Sequence, residues 1–261
     1  MTYDKKWNRM SPGHIIFLID QSHSMYGEKA VKAAEYVQKS IMAIVRWCIH
    51  GEDVRDRAFI TVIGYGSKDK FVNFIRQGWV SEWVEDVLRA KSTGKNIIPA
   101  ISDCGSAPMA EAFKLAKICL DEWIGWREQC TQQNPNLSMA APIVLNITGG
   151  DLDDEASARA AAQDILETDT PDGKVLLFNV YMCDEGEGFF GPSDRIDMHG
   201  NLEAEFMYDI SSLIPDNVLM GVNVEGFKTI RPGARGLVTT DVVILRYFMT
   251  YGSLNSEYQY E

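Results

Sequence analysis

The chain has no Cys-x-x-Cys pair, no apolar run long enough to cross a bilayer, no excess of basic charge and only four histidines. Each shortage excludes a class of function. Five cysteines, at positions 48, 104, 119, 130 and 183, are odd in number and lack the spacing of a thiolate metal site or a redox pair, so they read as reduced thiols in a cytosolic fold. Lys and Arg number 25 against 37 Asp and Glu, and a formal net charge of −12 argues against a nucleic-acid partner, because phosphate contacts need a basic surface. The segment Met1 to Met10 is polar, and no later segment reaches the length of a span. No membrane contact is expected, and the expected location is cytoplasmic.

Nucleotide-binding signatures are also missing. Gly64-Tyr-Gly66-Ser-Lys-Asp-Lys lacks the third glycine of a dinucleotide fingerprint, and Thr93-Gly94-Lys95-Asn96 lacks the first glycine and the hydroxyl of a phosphate loop. The acidic cluster Asp151-Leu-Asp-Asp-Glu155 has neither the glycine nor the spacing of a calcium loop. It reads instead as carboxylates favoured by the N-terminal dipole of a helix.

What the chain does have is a 46% hydrophobic composition over 261 residues, enough for one sizeable core. Its most informative stretch is His14-Ile-Ile-Phe-Leu-Ile-Asp20-Gln-Ser22-His-Ser24-Met25. Five consecutive apolar residues fit a central strand covered on both faces. The carboxylate and two hydroxyls that follow lie at its carboxyl end, where open α/β sheets place their ligands. Asp20, Ser22 and Ser24 offer only hard oxygens, which suit Mg²⁺ or Mn²⁺ rather than zinc or copper.

At these residues the sequence resembles the von Willebrand factor A domain family, whose metal-ion-dependent adhesion site opens with Asp-x-Ser-x-Ser. The resemblance extends to about Tyr251. It implies an α/β fold with a doubly wound, mostly parallel central sheet flanked by helices. It also implies a second loop like Gly-Gly-Thr-Pro-Met and a third like Thr-Asp-Gly. Here the second loop reads Gly105-Ser106-Ala107-Pro108-Met109, so Ala107 stands at the threonine position and Ser106 is the nearest hydroxyl. The third reads Thr148-Gly149-Gly150-Asp151, so Gly149 stands at the carboxylate position and Asp151 is the replacement candidate, with Asp153 and Asp103 behind it. The expected metal residues are therefore Asp20, Ser22, Ser24, Ser106 and Asp151.

Strands are expected at 14–20, 57–66, 71–76, 142–148, 174–182 and 219–224. Helices are expected at 27–50, 80–90, 109–126, 154–167, 202–213 and 240–249. Strands alternating with helices at this interval imply right-handed crossovers. Tryptophan in the second helix reads as a packing residue. Residues 128–141 read as a loop, and 184–201 as a glycine- and acid-rich excursion carrying Phe189 and Phe190. Residues 1–13 form an N-terminal extension, 14–251 the domain and 252–261 a tail.

The expected function is a protein-binding module, not an enzyme, that takes Mg²⁺ or Mn²⁺ and whose partner completes the metal shell with an acidic residue. The resemblance is nearest to stand-alone bacterial domains of the tellurite-resistance group, which implies a stress-response or defence assembly. The alternatives are a divergent metal-dependent phosphoester hydrolase and a metal-free scaffold with a vestigial site. Ser22 in place of a second carboxylate speaks against the hydrolase, and His23 reads as a surface or partner contact.

Overall fold

A computed structural model describes residues 3–68, 71–103, 105–183, 190–216 and 230–239. The first strand, β1 (Gly13–Asp20), is buried along its whole length. Its side chains divide by the two-residue period of a strand: Ile15, Phe17 and Ile19 enter one core layer, and Ile16 and Leu18 the other. It pairs in parallel with β2 (Ala58–Tyr65) and with β4 (Ile143–Thr148). Outside β4 lie β5 (Leu176–Tyr181) and β6 (Leu237–Thr239), both parallel, and outside β2 lies β3 (Val72–Trp79), which is antiparallel. The sheet order is β6-β5-β4-β1-β2-β3.

Helix α1 (Glu28–Cys48) buries Ala33, Ala34, Val37, Ile41, Ile44, Val45 and Cys48, the helical stripe expected from their spacing. With α2 (Val80–Thr93) it covers the face that holds Phe17. Trp83 is fully buried and donates its indole N–H to the Gly78 carbonyl at 3.2 Å, a packing role. The opposite face is covered by α3 (Met109–Gln133), α4 (Glu155–Leu166) and α5 (Leu202–Asp209). Asp154 caps α4, accepting from the Ser157 backbone N–H at 3.1 Å and its hydroxyl at 2.6 Å.

Several boundaries differ from expectation for identifiable reasons. Helix α3 continues well past Trp126, through a polar run that reads as loop. Arg127 explains this: it is buried, and its guanidinium donates to the carbonyls of Met10, at 3.0 Å, and Ser138. A charged residue on the inner face thus ties the last turns of α3 to two neighbouring segments. Strand β3 runs on to Trp79 because its outer residues form an antiparallel ladder with β2 as far as Phe59. Helix α5 ends at Asp209, earlier than its apolar spacing predicts. Phe190 folds back, bridging Val238 and packing against the core. The expected strand 219–224, the helix 240–249, Phe189 and the tail lie outside the described residues. Among the described residues no helix is long and apolar enough to cross a membrane.

His14 is an unusual inhabitant of a central strand. Its Nε2 lies 3.0 Å from the Thr61 hydroxyl, and burial depresses its pKa from 6.5 to about 3. An imidazole held neutral in the fold but protonated when unfolded stabilises the fold fully above pH 6.5, and that contribution is lost as pH falls toward the folded pKa. Between pH 7 and pH 5 the expected loss is about 2 kcal/mol. Urea unfolding of the parent and of His14→Phe at both pH values checks this: the variant should lose less stability, and equal losses would contradict a buried neutral ring.

Candidate functional site at the carboxyl edge of the sheet

Asp20 ends β1 and is fully buried beneath the loop it begins. Its Oδ1 accepts from the Ser22 backbone N–H at 2.8 Å. Its Oδ2 accepts from the hydroxyls of Ser24 at 3.0 Å and Thr148 at 2.9 Å, and from the Gly149 N–H at 3.2 Å. Burial drives this carboxyl above the ordinary carboxylate range, while the hydrogen bonds pull it back. The hydroxyls of Ser22 and Ser24 lie 3.0 Å apart. Three residues from one short loop therefore converge as the spacing predicts.

The neighbouring loops are fastened to this one through backbone. Gln21 N–H donates to Tyr65 O at 2.7 Å, Asp103 N–H to Gln21 O at 2.8 Å, and His23 N–H to Gly105 O at 3.3 Å. Two glycines permit the approach. A Cβ at Gly66, whose φ is +85°, would stand 2.6 Å from Ser106 O, and a Cβ at Gly149 would stand 2.5 Å from both the carbonyl and the hydroxyl oxygen of Ser24. The glycine at the expected third-loop carboxylate position is thus a packing requirement: Ser24 occupies the space where any side chain would begin.

The other expected residues lie on the two flanking loops. Ala107 is buried in the core beneath the second loop, and its N–H donates to Asp153 Oδ1 at 3.0 Å, which joins the second loop to the third. Ser106 and Asp151 are exposed, one on each of these loops. Among the described residues no group of three or more His, Cys, Asp or Glu side chains is arranged to hold a metal. The donor chemistry nonetheless fits one edge of a hydrated ion. Two oxygens bound at right angles to Mg²⁺, each about 2.1 Å from it, lie about 3.0 Å apart, which is the separation of the Ser22 and Ser24 hydroxyls. Asp20, fully engaged by the chain, sits behind them.

A row of polar groups below the crown was not foreseen from the sequence. Tyr65 OH donates to Asn146 Oδ1 at 2.9 Å, Asn146 Nδ2 to Asn179 Oδ1 at 2.9 Å, and Asn179 Nδ2 to Ser211 Oγ at 2.9 Å. Ser211 in turn donates to Met207 O at 2.6 Å. All four side chains are buried. Burial, then the charge of nearby Asp20, holds the Tyr65 phenol well above its ordinary pKa. The available signal was an asparagine inside each of two otherwise apolar strands.

Comparison with protein-family models finds no match, and comparison with curated proteins finds none. Among solved structures, the pilus adhesin SpaC from Lactobacillus rhamnosus GG, in its open conformation, matches 80% of this chain at 10% identity with a TM-score of 0.50. This chain spans only 28% of that adhesin. The manganese-loaded TRAP protein of Plasmodium vivax matches 93% of the chain and 74% of its own length at 13% identity, with a TM-score of 0.44. The vWF domain of the type V pili tip protein Mfa5 from Porphyromonas gingivalis matches 53% of the chain and 38% of its own length at 10% identity, with a TM-score of 0.32. These likenesses bear on the fold alone, and the fold is a doubly wound α/β arrangement with a mostly parallel six-stranded sheet covered by helices on both faces.

Proposed function

We propose that this chain is a protein-binding module, not an enzyme, whose crown holds Mg²⁺ or Mn²⁺ through the hydroxyls of Ser22 and Ser24 with Asp20 behind them. The observation that carries the reading is the 3.0 Å separation of those two hydroxyls. Ser106 and Asp151, exposed on the flanking loops, are the candidates to reach the ion through water. Once bound, the ion supplies an open coordination position for a carboxylate of the partner. His23 and Tyr26 form an exposed rim to the same crown, their rings 6.1 Å apart. Tyr26 is 75% exposed, an unusual outlay of aromatic surface that suits a contact. The two serine hydroxyls bond to each other and that of Ser24 donates to Asp20, with no imidazole bonded to either, which favours binding over nucleophilic chemistry. Free thiols at Cys48, Cys119 and Cys130 are in keeping with a cytoplasmic setting. A role beside other components of a bacterial stress-response or defence assembly completes the reading.

Calorimetric titration of chelator-treated protein with Mg²⁺ and Mn²⁺ tests it, run beside the Ser22→Ala, Ser24→Ala double variant. Saturable binding by the parent, weakened at least about ten-fold in the variant, is the expected result. No saturation at millimolar ion would sink the metal. A second reading then takes over, that of a metal-free scaffold. It is favoured by the four donors with which the chain itself satisfies Asp20. Release of phosphate from an aryl phosphate with Mg²⁺ or Mn²⁺ would instead support the hydrolase.

A further inference from the structure

At the opposite end of β1 from the crown, about 20 Å away at the rise of a strand, the sheet and α3 enclose a second feature. His14 of β1, Phe59 and Thr61 of β2, and Trp79 and Gln77 of β3 stand side by side, since His14 pairs with Phe59, Phe59 with Trp79, and Thr61 with Gln77. Over them α3 lays Cys119, Glu122, Trp123 and Trp126, spaced at three- and four-residue intervals along one helical stripe. Together these residues line a pocket of about 230 Å³.

Its walls are aromatic to an unusual degree. Phe59 and Trp123 stack with centroids 5.5 Å apart, Trp79 meets Trp126 edge-on at 5.8 Å, and Trp123 lies 5.3 Å from Trp126. Two polar atoms among the lining residues have no partner: His14 Nδ1 and Trp123 Nε1. His14 is 1% and Trp123 5% exposed, so bulk water does not satisfy them. A buried donor or acceptor without a partner is costly, and a polar occupant of the pocket removes that cost. Charge decides what kind. No Lys or Arg lines the pocket, its one carboxylate is Glu122, and aromatic rings attract a cation through their quadrupole. The cluster already accommodates one cation on its flank, where the Arg127 guanidinium lies 5.3 Å from the Trp126 centroid.

We propose that this pocket binds an organic ammonium cation of the size of a choline or methylated-lysine head group, held among the rings of Trp79, Trp123 and Trp126 and by the Glu122 carboxylate. In the His14 tautomer that donates from Nε2 to Thr61, Nδ1 is left as an acceptor for a ligand N–H or hydroxyl, and Trp123 Nε1 donates to a ligand oxygen or an accompanying water. Neither group belongs to the crown, so the inference stands apart from any metal.

The test titrates the full chain with choline and, in parallel, with its uncharged isostere 3,3-dimethylbutan-1-ol, following tryptophan fluorescence and the indole N–H resonances. Choline should bind at least about ten-fold more tightly than the alcohol and shift the Trp123 indole signal. Glu122→Gln and Trp126→Leu alter exposed residues and should keep the fold, which the unfolding midpoint verifies. Each should weaken choline about five-fold or more. A peptide carrying trimethyl-lysine, compared with the same peptide unmodified, separates the two sources of the group: tighter binding than free choline points to a protein tail, and equal or weaker binding to a free metabolite. Equal affinity for choline and the alcohol, or no binding of either at tens of millimolar, would overturn the proposal.

Discussion

Asp20→Ala is expected to lower the free energy of unfolding by about 3–5 kcal/mol, a large share of what a single domain possesses. The reason lies in what it leaves behind. Four donors converge on this carboxylate: two backbone N–H groups and two hydroxyls. Alanine removes the acceptor that all four share; the Ser22 N–H and the Thr148 hydroxyl lose theirs in buried surroundings, and each buried donor left without a partner costs about 1–3 kcal/mol before relaxation. Asp20→Asn retains one acceptor oxygen and turns the other into a donor facing donors, so an intermediate loss of about 2 kcal/mol is expected. Urea unfolding of the three proteins in chelator measures both. A loss below about 1 kcal/mol for alanine would show that the loop is held by something other than its carboxylate. The same expectation explains why the serine double variant, not Asp20→Ala, is the proper probe of metal binding: loss of binding in a destabilised protein would not distinguish a missing ligand from a collapsed loop.

The second large effect concerns the position where a carboxylate is expected by resemblance. Gly149→Asp should destabilise the protein by about 3 kcal/mol or more instead of restoring a stronger metal site. The clash begins at Cβ, against backbone and hydroxyl oxygens of Ser24, so Gly149→Ala should cost nearly as much. That equality is the diagnostic. If Gly149→Asp proves as stable as the parent and binds Mg²⁺ more tightly, then the third loop has room to withdraw and the glycine is not a packing requirement. Thermal unfolding with and without Mn²⁺, applied to both variants, distinguishes the outcomes.

Much of this was legible from residues alone because the signals were local. The run His14 to Asp20 announced a buried strand and what it delivers, and the alanine-rich face of α1 announced its own burial. The Asp20, Ser22 and Ser24 cluster followed, since groups two and four residues apart on one loop have little freedom not to meet. Where Ser106 and Asp151 stand relative to that cluster depends on two other loops, whose approach is set by close contacts at Gly66 and Gly149. Thr148 escaped notice for the same reason, because its hydroxyl matters only through a residue 128 positions away. The continuation of α3 was hidden by a buried arginine, whose partners are carbonyl groups and leave no mark on the side-chain pattern. The aromatic pocket draws on three strands and a helix, and its tryptophans, read one at a time, look like ordinary core.

The polar row beneath the crown has a consequence for how the chain finds its fold. In a parallel sheet of Ile, Val and Leu, neighbouring strands could slide by two residues and still bury the same faces. Asn146 stands opposite Asn179, and each amide is committed at both ends, receiving a proton on one side and giving one on the other. A slip of two would set the Asn146 amide against Leu177 or Tyr181 and break the row where it crosses between the two strands. The row therefore works as a key cut into an otherwise uniform lock, and the mispaired sheet is expected to be excluded by its unmatched amides rather than by its hydrophobic contacts.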